Sequence, residues 1–350
     1  MRISVTSDHH FHAYQQFANR TPGGLNNRLV EMLAVEDLAH ALRQRLDVDL
    51  HIRAGDLFDR KNTIDAVTFN EVWSRVSRRG GPPEWLLKGN HDIAAGGIRH
   101  TLEAFASLPT VKVFDTPQRV EIGNASVYLV PHMEDVAEQR AALGTFPWET
   151  DNERFKLLIC HGQVAGAISG SEYVLPGSLT LEDLHAEAYD LVLLGHCHEP
   201  HQLAPNVFYV GSQCQRSFAD IGAARRMFLV DTDARRWDSH PLLGPRFQRE
   251  IFSTLSTFER WQPSSNDYYK VVVRSPEITD SLIKDKLEGY CRGWTVQYEI
   301  AEKTIAPRLG HGLISWDDIL EVYVREIETP LDKKQLLAVG RTLREQSNGG

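Results

Sequence analysis

Cysteine is scarce in this chain, with four residues between Cys160 and Cys291. Thiols this few and this scattered exclude the disulfide framework of small secreted domains. Long apolar runs are also missing, since no stretch approaches the roughly 18 residues that a membrane-spanning helix needs. The N-terminal segment reaches Asp8 without the apolar core of a signal peptide. We therefore expect a cytoplasmic protein.

Positive charge is in short supply as well. The chain has 38 Lys and Arg residues against 47 Asp and Glu residues, a formal net charge of −9. Proteins whose whole surface binds polyanions normally carry an excess of Lys and Arg, so this balance disfavours that class. Local basic patches and bound cations remain compatible with it.

Short apolar runs rich in Val, Ile and Leu recur through the first two-thirds of the chain, and segments with helical spacing lie between them. The runs occupy residues 3–6, 48–53, 84–87, 111–114, 125–130, 156–160, 191–194, 207–210 and 227–230. Helices are predicted over 25–46, 64–76, 97–105 and 179–185, the first with an apolar stripe of Val35, Leu38, Leu42 and Leu46. Buried strands that alternate with helices predict a layered α/β fold.

The pattern changes after about residue 244. A strand over 268–274, a helix over 278–290 and a strand over 294–300 predict a small β-α-β module. A loop-like linker follows over 301–312, and helices are predicted over 315–326 and 331–346. We expect a first domain at 1–244, a β-α-β module at 245–305 and a helical segment at 313–350.

Residues that ligate metals follow five of the predicted strands. They are Asp8, His10, Asp56, Asn90, His161, His196 and His198. The carboxyl ends of such strands are where an open α/β sheet places its site. On extended backbone, alternation points the two outer residues of D-x-H or H-x-H to one side, which leaves Cys197 pointing away.

The number of these donors indicates two metal ions rather than one. Seven oxygen or imidazole ligands exceed what a single divalent cation needs, whereas two ions about 3.5–4 Å apart, bridged by one carboxylate, would use them all. Imidazole, carboxylate and amide donors suit manganese, iron or zinc.

The motifs D-x-H, G-D-x-x-D, G-N-H-D, H-G and G-H-x-H occur in this order over residues 1 to about 232, and this part of the chain resembles the calcineurin-like metallophosphoesterases. The resemblance implies a four-layered α/β/β/α sandwich with a dimetal centre. One ion would be held by Asp8, His10, Asp56 and His198. The other would be held by Asp56, Asn90, His161 and His196. We expect Mn²⁺, with Mg²⁺, Fe²⁺ or Zn²⁺ as alternatives.

Two residues beside the ligands are candidates for catalysis. His91 adjoins Asn90 but has no ligand role, so we expect it to stabilise the transition state and to protonate the leaving alkoxide. Asp92 would orient and charge the His91 ring. His132 follows a further strand end and is left without a role.

Three features resemble the SbcD-type branch of the family. They are Gly55-Asp-Leu-Phe-Asp59, the segments 209–218 and 227–231, and the extension after residue 245. The resemblance implies a manganese-dependent DNA exonuclease and endonuclease subunit of DNA repair or recombination. Its partner would be an SbcC- or Rad50-like coiled-coil ATPase bound by the C-terminal helices, and a homodimer would form through 64–76 and 97–105. Arg60, Lys61 and Arg216 are the expected DNA contacts.

Two other functions stay open. A stand-alone phosphatase or phosphodiesterase for small phosphoesters would use the same metal site, and the negative net charge favours it. A scaffold with a vestigial site is the non-enzymatic alternative, and the seven intact ligand positions argue against it.

Overall fold

The computed structural model describes residues 1–78, 80–94, 97, 99–145, 153–167, 178–299, 316–327, 329 and 331–347. The chain divides into two compact units, residues 1–297 and residues 298–350.

The first unit contains two six-stranded sheets. The first sheet has the spatial order β12 (Arg236–Pro241), β11 (Arg226–Asp231), β1 (Arg2–Thr6), β2 (Leu50–Arg53), β3 (Glu84–Leu87), β4 (Val111–Phe114). The second has the order β5 (Gln118–Ile122), β6 (Ala125–Val130), β7 (Phe155–His161), β8 (Leu191–Gly195), β10 (Val207–Tyr209), β9 (Gln202–Ala204). The central strands β1 to β4, and likewise β6 to β8, run parallel. Their carboxyl ends therefore meet at one edge of each sheet.

The sheets pack face to face around the largest apolar cluster, which joins Ile3, Val5 and Ile52 of one sheet to Leu129 and Leu157 of the other. Helices cover the two outer faces. They are α1 (Asn27–Arg45) and α2 (Ala66–Val76) on the first sheet and α3 (Val136–Thr145) on the second. The predicted layered α/β fold is confirmed, because strands buried on both faces need helices outside them.

Two predicted helices are wrong. Over 97–105 the described residues form only a 3₁₀ turn at Glu103–Ser107, because the chain folds back through a β-bridge between Ile93 and His100. Over 179–185 the turn Glu182–Leu184 ends at His185, which has a left-handed backbone (φ 46°).

Three residues of the apolar stripe predicted for α1, Val35, Leu42 and Leu46, pack into the core, but the fourth does not. Leu38 is 52% exposed, whereas Glu36 and Arg43 are buried on the face that packs on the sheet. Arg53 of β2 donates to both oxygens of Glu36, at 3.0 and 2.8 Å, and Arg43 donates to it at 2.8 Å. Charged residues that the apolar pattern predicts to be solvent-exposed are therefore buried in ion pairs.

A third sheet with the order β13 (Phe247–Phe252), β14 (Tyr268–Val273), β15 (Gly293–Tyr298) follows, with helices α4 (Leu255–Arg260) and α5 (Asp280–Leu287). The predicted strand, helix and strand are present, and β13 and α4 precede them. We call residues 246–297 the small module. The predicted boundary at 305 and the linker at 301–312 lie outside the described residues.

The second unit contains α6 (Trp316–Glu326) and α7 (Lys333–Ser347), which pack on each other. A Cβ on Gly340 would lie 2.8 Å from the Leu320 side chain, so glycine permits the close approach of the two helices. Arg341 donates to Glu321 at 2.6 Å across the pair. Within the described residues, no helix combines the length and the hydropathy needed to cross a membrane.

Candidate metal centre

The loops after β1, β2, β3, β7 and β8 converge on one site and bring together all seven predicted ligands. In the first group, His10 Nε2 lies 3.5 Å from Asp56 Oδ2 and 3.8 Å from Asp8 Oδ1. His198 Nε2 lies 4.0 Å from Asp8 Oδ1 and 3.2 Å from His10 Nε2. Two imidazole nitrogens and two carboxylates therefore face the same small space.

The second group is built around Asn90. Its Oδ1 lies 3.0 Å from His161 Nε2 and 2.9 Å from His196 Nδ1. His161 Nε2 is also 3.5 Å from Asp56 Oδ1. The Asp56 carboxylate therefore lies between the groups, with Oδ2 toward the first and Oδ1 toward the second.

Backbone conformations with positive φ orient several of these side chains. Asp8 (φ 51°), His10 (φ 49°) and Asp56 (φ 53°) are left-handed although they are not glycine, and His196 has φ 102°. Such conformations cluster at functional sites, where surrounding bonds hold them. Here Asp8 N–H donates to the Gly55 carbonyl at 3.1 Å, and His10 N–H donates to the Asp56 carbonyl at 3.0 Å. Asp8 and His10 were predicted to point to one side because of alternation along an extended strand. That explanation is wrong, because β1 ends at Thr6 and both residues have a left-handed backbone.

Two glycines allow the loops to approach. A Cβ on Gly55 (φ 98°) would lie 2.1 Å from His161 Nδ1, and a Cβ on Gly89 would lie 2.2 Å from Asp56 Oδ1. A side chain at either position would displace a ligand.

The electrostatics of the site suit a bound cation. Burial alone would raise the pKa of the Asp8 carboxyl, but its bond to His10 and the charges of His161 and His198 hold the pKa well below its usual range. Burial lowers the pKa of both His10 and His196 to about 4, so these rings are neutral near pH 7 with lone pairs to donate. Burial would also lower the pKa of His161, but Asp56 raises it to about 9, so this ring is protonated near pH 7 and would give up that proton to bind a metal ion.

The donor set fits divalent metal ions. Ligand atoms lie within 4.8 Å of one another in three groups, Asp8 with His10 and His198, His10 with Asp56 and His91, and Asp8 with Asp56 and His161. Imidazole nitrogens that face ionised carboxylates, with no thiolate among them, form the nitrogen and oxygen environment that these ions prefer.

Further groups lie behind the ligand rings. His161 Nδ1 is 2.7 Å from the Ala54 carbonyl, His10 Nδ1 is 3.5 Å from Asp59 Oδ1, and His198 Nδ1 is 3.7 Å from Asp220 Oδ1. Such outer partners fix the orientation of a ligating imidazole.

His91 lies beside the centre. Its N–H donates to Asp56 Oδ1 at 2.8 Å, and its ring stands perpendicular to that of His10 with the centroids 4.7 Å apart. The Nδ1 atom contacts the Asp59 carbonyl oxygen. A carbonyl only accepts, so Nδ1 carries the proton of this bond.

Asp92 has a different position from the one predicted. Its carboxylate accepts backbone N–H bonds from Asp56 at 3.0 Å, Leu57 at 3.1 Å and Gly89 at 2.9 Å. The partner of the His91 ring is instead the Asp59 carbonyl. Burial explains why Asp92 does not contact the His91 ring, because a fully buried carboxylate is satisfied by the backbone donors that surround it. Asp92 braces the two loops that carry Asp56 and Asn90.

Of the three predicted substrate contacts, Arg216 lies at the centre. Its guanidinium contacts the His198 ring, and Nη1 is 3.4 Å from Asp59 Oδ1. Arg60 and Lys61 are exposed on the segment that follows Asp59.

Sequence reasoning gave no role to Tyr14, His132, Asp59 or Asp220. The Tyr14 hydroxyl donates to Asp59 Oδ1 at 2.8 Å, and the His132 ring stands perpendicular to that of His161 with the centroids 6.3 Å apart. Asp59 and His132 carried a signal, since one belongs to the G-D-x-x-D motif and the other follows β6. Tyr14 and Asp220 lie in loops whose course the sequence did not predict.

Comparison with known proteins identifies a matching family model and several similar proteins. A family model described as calcineurin-like phosphoesterase matches residues 1–200. Putative phosphoesterase 244L of Invertebrate iridescent virus 6 is 22% identical over 270 residues, which cover 72% of this chain and 92% of the viral protein. Exonuclease subunit 1 of Enterobacteria phage T4 is 25% identical over 298 residues, which cover 81% of this chain and 79% of the phage protein. A solved archaeal phosphodiesterase covers 69% of this chain and 100% of its own, at 14% identity and a TM-score of 0.37.

Proposed function

The chain belongs to the calcineurin-like phosphoesterase family and hydrolyses phosphoester bonds, and we propose that its substrate is the phosphodiester backbone of DNA. The observation that carries the proposal is the similarity to a phage exonuclease subunit over 81% of this chain. That share extends well beyond residue 200, where the family match ends. The likeness therefore includes part of the extension that follows the phosphoesterase region.

The proposed centre holds two divalent cations, with Mn²⁺ as the expected ion. Asp8, His10 and His198 would hold one ion, and Asn90, His161 and His196 the other. Asp56 would be shared, because its two oxygens face the two groups separately. When bound, such ions supply Lewis acidity that lowers the pKa of water and offsets the charge on phosphoryl oxygens.

The residues around the centre orient the substrate and move a proton. Because Nδ1 of His91 contacts the Asp59 carbonyl, a protonated His91 would donate from Nε2 to the departing alkoxide oxygen. Asp92 would act on His91 only indirectly, by fixing the loop that carries it. Arg216 would contact a phosphate oxygen from beside His198.

Arg60 and Lys61 would contact the DNA backbone outside the centre. Both follow the loop that ends in Asp59, and both are exposed. Contacts at the rim, together with bound cations, allow a chain of net charge −9 to bind a polyanion.

The biological setting is part of the proposal. We expect the chain to act in DNA repair or recombination with an SbcC- or Rad50-like ATPase, and the word subunit in the name of the phage relative supports a partner. Exposed apolar side chains on α6 and α7, among them Tyr323, Val339 and Leu343, offer it a surface. Formation of a homodimer, the limits of the three domains and the cytoplasmic location stay predictions.

Hydrolysis of small phosphoesters is the second candidate function. The negative net charge favours it, because a small phosphoester needs no extended basic surface. It would use the same ligands and the same proton donor.

The test uses wild-type protein with Mn²⁺, end-labelled duplex DNA and bis-p-nitrophenyl phosphate. We expect both substrates to be hydrolysed, and both activities to be lost in Asp56→Asn, which removes the shared carboxylate charge. Asp47→Asn is the matched control, because that side chain is 90% exposed. Turnover of the ester with intact DNA would refute the nuclease and support the second candidate.

A further inference from the structure

Arg28, the second residue of α1, has a buried guanidinium group that joins separate parts of the fold. Its Nη2 donates to the Arg216 carbonyl at 2.8 Å, and its Nη1 donates to the Gln16 carbonyl at 2.9 Å. The side chain is 3% exposed, and Nε lies 3.4 Å from Glu31 Oε2. Since arginine presents its donors in a rigid planar fork, these bonds fix the two loops relative to each other.

Two aromatic rings of the small module lie against the same guanidinium. Cζ of Arg28 is 4.7 Å from the centroid of the Tyr268 ring and 5.0 Å from that of Phe247. The two rings are stacked, with centroids 4.6 Å apart and planes at 12°. The Tyr268 hydroxyl also donates to Glu31 Oε1 at 2.7 Å. The small module is thus anchored on the start of α1 by a buried cation and its carboxylate neighbour.

On the side away from the small module, Arg28 contacts residues that lie next to the candidate metal centre. Arg216, whose carbonyl accepts from Arg28, places its guanidinium against the His198 ring. Tyr14, whose ring centroid is 5.7 Å from Arg28 Cζ, donates to Asp59 Oδ1 at 2.8 Å. The same Asp59 oxygen is 3.4 Å from Arg216 Nη1. One arginine therefore contacts the module, the main chain of Arg216 and the ring of Tyr14.

We propose that Arg28 is a positioning residue through which the seating of the small module sets the placement of Arg216 and Tyr14 behind the ligands His198 and His10. This inference rests on the proposed function only in that the seven ligands must bind metal, and it does not require DNA as the substrate. Without Arg28, the loop of Arg216 is free to move together with Asp220, which accepts from the Arg216 N–H at 2.8 Å and whose Oδ1 lies 3.7 Å from His198 Nδ1. Because a guanidinium only donates, Asp220 is the acceptor beside the His198 ring, and a metal ion held by that ring is bound less tightly when this carboxylate moves.

A purely structural role makes a different prediction. If Arg28 only braces the module, its replacement lowers stability while the folded protein binds metal as before. The test must therefore measure metal affinity and stability separately, on the full chain.

The experiment compares Arg28→Lys and Tyr268→Leu with wild type, using titration calorimetry with Mn²⁺ alone and urea denaturation of metal-free protein. Lysine keeps the charge against the two rings but has one ammonium group, which loses the planar fork that spans the two carbonyls. We expect Arg28→Lys to weaken Mn²⁺ binding about tenfold, as the loss of outer partners of metal ligands does. Tyr268→Leu leaves both carbonyl bonds in place but removes a ring that seats Arg28, so we expect a smaller weakening in the same direction.

Arg292→Met is the matched control. Arg292 also ties the module to α1, with Nη1 2.7 Å from Glu31 Oε1, but it makes no bond to the Arg216 loop. We expect its Mn²⁺ affinity to equal that of wild type. Unchanged affinity in Arg28→Lys and Tyr268→Leu, whatever their stability, would overturn the inference. Absence of Mn²⁺ binding in wild type would instead refute the proposed metal centre, so the two failures are distinguishable.

Discussion

The backbone N–H of His91 donates a 2.8 Å hydrogen bond to Oδ1 of Asp56, the carboxylate that lies between the two groups of ligands. This bond fixes the position of the proposed proton donor relative to the proposed shared ligand. It uses only the main chain of His91, so the ring can be replaced without removing the bond. The two roles are therefore separable by mutation.

His91→Ala should reduce DNA hydrolysis far more than hydrolysis of bis-p-nitrophenyl phosphate. An alkoxide leaving group needs a proton, and general acid catalysis contributes about 10²–10⁴-fold to such a step. Because p-nitrophenolate leaves without a proton, we expect the rate on the small ester to fall by less than about tenfold. The measurement is kcat on both substrates, with the metal content of each sample determined.

The metal content of His91→Ala should match that of wild type. An equal loss of rate on both substrates, accompanied by loss of metal, would show that His91 is a ligand. Equal rates of the variant and wild type on DNA would remove it from the mechanism.

Gly55→Ala should reduce metal binding. A Cβ at this position would lie 2.1 Å from His161 Nδ1, so the ring would have to leave its place beside Asn90. Gly24→Ala is the matched control, since Gly24 also has a positive φ (78°) but has no atom within 4 Å of the added Cβ. Both variants should lose about 1–2 kcal/mol of stability to the left-handed backbone, but only Gly55→Ala should lose affinity for Mn²⁺ in calorimetry. Equal affinities of the two variants would contradict the proposed role of His161.

Glu36→Gln should destabilise the protein in a pH-dependent way. Burial alone would raise the pKa of Glu36, but Arg53 and Arg43 hold it well below its usual range. A depressed pKa in the folded state stabilises the protein above the unfolded-state pKa of about 4.3, and this contribution is lost as pH falls through the folded pKa. Since the variant leaves two buried guanidinium charges without this carboxylate, we expect the free energy of unfolding at pH 7 to fall by about 3–5 kcal/mol.

Urea denaturation of metal-free wild type and Glu36→Gln from pH 7 down to pH 3 gives the comparison, and their difference should shrink at the acid end. Glu71→Gln is the control, because Glu71 pairs with Arg75 on a partly exposed helix face and such pairs contribute about 0–1 kcal/mol. Equal losses in the two variants would contradict a special role for the buried ion pairs.

The same ion pairs show why part of the fold was not predictable. The central strands were found because they are rich in Val, Ile and Leu, as expected of strands that are buried on both faces like β6. Polar edge strands such as β5 and β12 gave no comparable signal, since they are largely solvent-accessible. The burial of Glu36 and Arg43 on α1 was not predicted, because pairing buries these charged side chains and a hydropathy pattern does not register it.

The candidate site divides in a similar way. The convergence of the seven predicted ligands could be anticipated, because each of these residues follows an apolar strand within a short motif. The contacts behind these residues could not be predicted. Tyr14, Arg28 and Asp220 make them with Asp59, Arg216 and His198, which lie on other loops of the chain. The actual partners of Asp92 could not be read from its position next to His91, since its carboxylate bonds to Asp56 and Leu57, more than thirty residues earlier.

Metal occupancy at the five strand ends is the measurement on which the proposed mechanism depends most directly. Crystals grown with Mn²⁺, measured at the manganese absorption edge, give the number and positions of bound ions from anomalous scattering. We predict two peaks, one beside Asp8, His10 and His198 and the other beside Asn90, His161 and His196, with Asp56 in contact with both. A single peak, or peaks away from these side chains, would contradict the two-metal centre.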